Sequence, residues 1–108
     1  PALATPDELA SARSGKSFDL AMTASVNGAV IGQDTLASMA FSFAEMTAHA
    51  SRGTWVKPGD ILGSGTCGGG CLAELWGRRG RDVHAPLAPG DTVTVSVERL
   101  GTITSRIT

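Results

Sequence analysis

The residues of this chain best suited to chemistry crowd into one stretch, GDILGSGTCGGGCLAELWG, from Gly59 to Gly77. It holds two thiols (Cys67 and Cys71), the hydroxyls of Ser64 and Thr66, and Glu74 between Leu72-Ala73 and Leu75-Trp76. Three chemistries fit such a set: a redox dithiol, a metal site, or a substrate loop beside a general base. A thioredoxin-type dithiol has two residues between its cysteines and opens a helix. Cys67-Gly-Gly-Gly-Cys71 has three, and glycines open helices poorly, at about 1 kcal/mol each relative to alanine. Zinc takes four ligands, or three and a water, and His49 and His84 stand at no recognised spacing from the thiols. We therefore read Cys67 and Cys71 as small, half-buried thiols and assign no metal ligand within the chain.

The substrate loop explains more of the stretch. Gly63-Ser64-Gly65-Thr66 lets backbone approach a ligand closely, because glycine carries no β-carbon. The Thr66 hydroxyl can donate to a carbonyl or carboxylate oxygen. Glu74, flanked by apolar residues, must find a partner or shift its pKa upward. Either outcome suits a general base or a group that orients one. The plainer alternative is a salt-bridged glutamate, paired with Arg78 or Arg79.

The elements that must position this loop are legible on both sides of it. Phe18, Leu20, Met22, Ala24 and Val26 alternate with polar or smaller residues, which is strand periodicity. The strand runs into Asn27-Gly28, the dipeptide of a tight hairpin, with a return strand over 29–34. Ser42 and Glu45 have capping-box spacing, with Phe41 and Met46 as its hydrophobic staple. They predict a helix over 43–52 that carries Phe43, Met46, Thr47 and Ala50 on one face and ends at a left-handed Gly53. Glu45 and His49 are spaced for a surface ion pair. Pro58-Gly59-Asp60 and Pro89-Gly90-Asp91 suit type II turns, and each introduces an expected strand, ILGSGT and TVTVSVE. Arg99-Leu100-Gly101 turns the latter into a last strand over 102–107.

The sum is an α+β, mainly β domain with hairpin connections and one principal short helix. Residues 1–108 form a single domain, with 1–17 a partly irregular N-terminal segment. With three Phe, two Trp and no Tyr to seal its apolar faces, a second surface is expected to pack on it, from another copy or from further chain. Net charge is −1 with 18% charged residues, which excludes the clustered basic surface that nucleic acid requires. Arg78, Arg79 and Arg81 in GRRGR read as a solvated turn. No apolar run approaches the ~20 residues of a membrane span. The opening PALATPDELASARSGK has no basic end followed by an apolar stretch, so no secretory signal is expected. The chain begins on Pro1 rather than Met, as a processed chain or an excerpt would. Two cysteines are too few for a disulfide scaffold, making a cytoplasmic location the default.

Taken in order, VNG…D, FSFAEM, SRGTWVKPGDILGSGT, LAELWG and LAPGDTVTVSVERLGTI resemble the C-terminal part of the fumarylacetoacetate hydrolase family, from about Phe18 to Ile107. The LAELWG stretch further resembles the fumarylacetoacetase branch. The resemblance implies an enzyme, commonly a homodimer, that uses Mg, Mn or Ca on small β-dicarbonyl or oxo-acid substrates. Hydrolysis of a C–C bond is the leading expectation, with decarboxylation and isomerisation beside it. Thr66 matches the family's substrate-contacting threonine and Gly65 the glycine beside it. Glu74 matches the carboxylate that, in the fumarylacetoacetase branch, pairs with a histidine to activate water.

The same resemblance places the metal ligands, a Glu-x-Glu pair and flanking aspartates, upstream of the matched region, and no Glu-x-Glu occurs here. Lys16 in GKSFD is superficially like the family's lysine motif, but Phe18-Asp19 open the strand leading straight to Val26-Asn27-Gly28. We read Lys16 as coincidental. The histidine partner of Glu74 also lies upstream, so neither His49 nor His84 inherits its role. The expectation is half of an active site: Ser64, Gly65 and Thr66 against substrate, Glu74 as the acid–base group, and the metal held elsewhere. The isolated chain is then expected to be inactive. A non-catalytic β-rich dimerisation or binding module derived from the same fold is the alternative.

Overall fold

A computed structural model describes residues 3–108; Pro1 and Ala2, the start of the segment expected to be irregular, lie outside them. Strands β1 (Arg13–Ser14) and β2 (Ser17–Phe18) form a short antiparallel ribbon. Strands β3 (Ala21–Val26), β4 (Ala29–Thr35), β5 (Thr92–Val97) and β6 (Gly101–Arg106) form an antiparallel sheet in the order β4-β3-β5-β6. Helices α1 (Phe43–Ala50) and α2 (Leu72–Arg79) lie in the long connection from β4 to β5. This is the expected α+β, mainly β architecture.

Both hairpins follow from local chemistry. Asn27 and Gly28 take φ of 51° and 82°, the left-handed pair whose twist matches that of paired strands. Asn27 also ties the turn to β5. Its Nδ2 donates to Asp91 at 2.8 Å, and its Oδ1 accepts from the Thr92 N–H at 2.9 Å. At the far end Arg99 and Gly101 carry the positive φ that reverses β5 into β6.

The two Pro-Gly-Asp triplets make the same turn with different sequels. Gly59 and Gly90 have φ of 100° and 101°. Each aspartate N–H donates to the carbonyl three residues back, and each aspartate side chain accepts that residue's N–H, at 2.9 Å for Lys57 and 2.8 Å for Ala88. After Asp91 comes β5. After Asp60 the expected strand is missing: 61–66 is irregular and exposed throughout. The difference is the partner, since β5 lies between β3 and β6 while, among the described residues, no neighbouring strand takes up the N–H and C=O groups of Ile61–Thr66.

Opposed residues share a face of a sheet. Met22, Ala24 and Val26 stand opposite Val97, Val95 and Val93, making one face apolar. The other face carries Thr23, Ser25, Thr94, Ser96, Thr102 and Thr104. Leu20, Leu9 and Leu36 are buried together at one end, packed by Phe18, Met22, Met39, Val97 and Leu100. Burying each leucine contributes about 1.5–3 kcal/mol relative to exposure. The rest of the apolar face is only half covered, leaving Ile103 64% and Val95 44% exposed.

Helix α1 starts as predicted. The Glu45 N–H donates to the Ser42 hydroxyl at 3.1 Å, and Glu45 accepts the Ser42 N–H in return. It ends earlier than expected, at Ala50, with Ser51 in a right-handed conformation as its C-cap. Gly53 is not left-handed and does not form the stop. Phe41 stays 66% exposed, so the staple seals little. The expected Glu45–His49 pair is replaced by a bridge from Glu45 to Lys16 at 3.2 Å. Lys16 also donates to the Ala40 carbonyl at 2.7 Å, so its ammonium ties the N-terminal ribbon to the start of α1.

Helix α2 departs from the loop expected over this stretch, although three glycines precede it. Its N-cap Cys71 makes no side-chain cap. The helix is stabilised instead by Glu74 in the first turn and Arg78 and Arg79 in the last, which complement its dipole. The buried Leu75 anchors its inner side. Arg78 and Arg79 thus belong to a helix end rather than to the solvated turn expected of them, and Gly80 (φ 88°) closes it.

Candidate functional site

The triple glycine is a packing device. Strand β4 bulges where Gly32 opposes Ala24 and Val30 opposes Ser25, and the loop descends onto that point. A β-carbon on Gly32 would stand 2.5 Å from the Gly69 carbonyl carbon and 2.6 Å from the Gly70 Cα. One on Gly70 would overlap the Cys67 sulfur. Backbone therefore lies on backbone, which only glycine permits. The Gly70 N–H closes a turn on the Cys67 carbonyl at 2.9 Å.

Two carboxylates hold this loop from opposite elements. Asp34, at the end of β4, accepts the Gly68 N–H at 2.9 Å. Glu74, in the first turn of α2, accepts the next amide, Gly69 N–H, at 3.0 Å. Asp34 is itself oriented by the Thr35 N–H and the Ser38 hydroxyl, both at 2.8 Å. Those bonds, that from Ser38 foremost, hold its carboxyl below the ordinary aspartate range. The second oxygen of Glu74 pairs with Arg78 at 3.0 Å.

Between these elements lies a cleft of about 320 Å³ whose lining includes Ser64, Thr66, Cys67, Asp34, Ser38 and Glu74. Three of the four residues singled out from sequence thus meet in one cleft, and Gly65 (φ 85°) forms the bend between Ser64 and Thr66. Glu74 is half-buried and has the Arg78 partner anticipated as the plainer alternative. Asp34 carried no assigned role in the sequence. Its only signal there was its place in the VNG…D pattern, because contact with Gly68 spans 34 residues. A larger groove of about 610 Å³ runs between α1 and Leu62. It is nearly all apolar, and the one carboxylate on it, Glu45, is already taken by Ser42 and Lys16.

Cys67 and Cys71 are free thiols. Cys67 is buried, and burial together with the nearby Asp34 and Glu74 charges pushes its thiol pKa up, which makes it a poorer nucleophile. His84 lies away from the cleft and uses its carbonyl to accept the Trp76 indole N–H at 2.7 Å. His49 is exposed on α1. Among the described residues no group of three or more His, Cys, Asp or Glu side chains is placed to hold a metal. Asp34 and Glu74 are committed to the loop amides and to Arg78, so the residues described do not fit a divalent-cation site.

Residues 1–108 match the family model described as fumarylacetoacetate (FAA) hydrolase C-terminal. Over 102 residues the chain is 31% identical to a 2,4-didehydro-3-deoxy-L-rhamnonate hydrolase of Sphingomonas sp. (strain SKA58). The match takes in 94% of this chain and 32% of that relative, so the chain spans about a third of the length of the curated relative it matches. With the whole chain matched, this protein belongs to the fumarylacetoacetate hydrolase family, through that family's C-terminal domain.

Proposed function

We propose that the Ser64–Glu74 cleft is one wall of the active site of a hydrolase that cleaves a C–C bond in a small β-dicarbonyl or oxo acid. The observation that carries this is the meeting of Ser64, Thr66 and Glu74 around one cleft. Thr66 donates its hydroxyl to a substrate oxygen, and the Gly65 bend lets the backbone approach it. Glu74 uses a lone pair left free by Gly69 and Arg78 to take or steer the proton of the attacking water. The relative's name, which specifies a didehydro-deoxy sugar acid, supports an oxo acid as the substrate class. The fumarylacetoacetase branch remains the narrower proposal from LAELWG.

Charge supports a second wall. Asp34 and Glu74 both line the cleft; Arg78 offsets Glu74, and an anionic substrate beside Asp34 is repelled unless further positive charge faces it. We assign that charge to a Mg, Mn or Ca ion held by residues outside these 108. Exposed Trp55 (85%), Ile61 (93%) and Ile103 are surfaces for that further chain or for the second subunit of a homodimer. The same exposed residues also favour the alternative of a non-catalytic dimerisation or binding module.

The test is turnover of an acylpyruvate and divalent-metal binding, by this chain and by a polypeptide extended upstream to the length of the relative. The extended protein is expected to bind Mg or Mn and turn over, with Glu74→Gln cutting kcat about 100-fold or more. Thr66→Ala is expected to raise KM about 10-fold. No metal binding and no turnover of any β-dicarbonyl acid would refute the enzyme. Full activity of Glu74→Gln would return that residue to clamping the loop.

A further inference from the structure

Asp34 is absent from the chemistry above, yet it lines the same cleft and holds the backbone two residues beyond Thr66. We propose that Asp34 is a positioning residue, whose carboxylate pins Gly68 so that the Thr66 hydroxyl is presented to substrate. The proposal rests on the reading of Thr66 as a substrate contact.

The geometry leaves little else to do this. Residues 61–66 are exposed and belong to no strand, so among the described residues no strand pairing fixes the path of the loop upstream. Downstream, after the buried Cys67, the first hydrogen bond that ties the loop to another element is that of the Gly68 N–H to Asp34, followed by the Gly69 N–H bond to Glu74. Space enforces the same contact, since a β-carbon on Gly68 would stand 2.7 Å from the Asp34 oxygen. Asp34 is rigid enough to act as a pin, because its other oxygen accepts from Thr35 and Ser38.

Asparagine cannot substitute. One oxygen of Asp34 faces the Gly68 N–H and the other faces the Thr35 N–H, so whichever way an amide is turned its NH₂ meets a donor. Glu8→Gln is the control, because it alters a hydrogen-bonded carboxylate outside the cleft lining and leaves the bond to Gly68.

The experiment combines amide hydrogen exchange at Gly68 with steady-state kinetics on an acylpyruvate, in the active protein extended upstream. In the parent, Gly68 is expected to be protected although it is exposed. Asp34→Asn is expected to speed its exchange about tenfold or more, as loss of a hydrogen bond to a charged group does. KM should rise about fivefold or more with kcat within about twofold, since binding contacts and not the reacting groups are displaced. Glu8→Gln should leave both within about twofold.

An unprotected Gly68 in the parent overturns the pin, with no variant needed. Faster exchange with an unchanged KM overturns the link to Thr66. If the parent turns over no oxo acid the proposed function fails, and Gly68 exchange in the parent and in Asp34→Asn still decides whether Asp34 holds the loop.

Discussion

Replacing Gly32 by alanine tests the loop packing on which the cleft depends. The backbone at Gly32 is ordinary strand, so alanine suffers no strain in φ and, elsewhere, would be favoured by about 0.4–1 kcal/mol through the unfolded chain. Here its β-carbon lands within 2.6 Å of Gly69 and Gly70 backbone atoms. Neither neighbour is a side chain that can swing away. To recover ordinary contact the loop must retreat by roughly 1 Å, and overpacking of this kind costs about 1–3 kcal/mol. The net is a destabilisation of about 1–2 kcal/mol, or roughly 5–15 °C in Tm for a domain of this size.

The retreat would also stretch the Gly68–Asp34 bond beyond hydrogen-bonding distance from its present 2.9 Å. Exchange at Gly68 should therefore rise in the same variant. Thermal melting by circular dichroism, with amide exchange at Gly68 and Gly69, is the assay. Gly53→Ala is the control, because nothing lies within 4 Å of its β-carbon and its φ is ordinary. If Gly32→Ala melts with Gly53→Ala and leaves Gly68 protected, the loop does not lie on β4 as described.

Acid should unfold the protein through a small set of carboxylates. Hydrogen bonds hold Glu8, Asp34, Glu45 and Asp91 below their ordinary values of 4.5 or 3.8. Their stabilisation is therefore complete above those values and is lost as pH falls through the lowered folded-state pKa values. The urea midpoint should drop between about pH 5 and pH 2, less steeply in Asp91→Asn; a flat midpoint across that range counts against these bonds. Iodoacetamide should alkylate Cys71 well before Cys67, whose thiol is buried and raised in pKa. Equal labelling rates by mass spectrometry would contradict the burial of Cys67.

What the sequence determined by itself was local. The Asn27-Gly28 hairpin, the Ser42–Glu45 capping box and the two Pro-Gly-Asp turns each lie within a few residues, where φ preferences and short-range hydrogen bonds decide the outcome. The strand alternation over Met22–Val26 and Val93–Val97 likewise predicted which face is apolar. Ser64, Thr66 and Glu74 were singled out by residue type and family pattern, and the structure brings them to one cleft.

Tertiary structure decided the rest. Whether ILGSGT becomes a strand depends on a neighbour to pair with, and periodicity carries no such information. Glycines 69 and 70 are poor helix formers by propensity and prove to be the contact that lets a loop lie on Gly32. That loop in turn delivers Glu74 at the start of an unforeseen helix. Asp34 meets the loop only because folding carries Gly68, 34 residues away, onto its carboxylate. Contacts at that separation are chosen by the packing of whole elements, and no window of sequence short enough to read contains both partners.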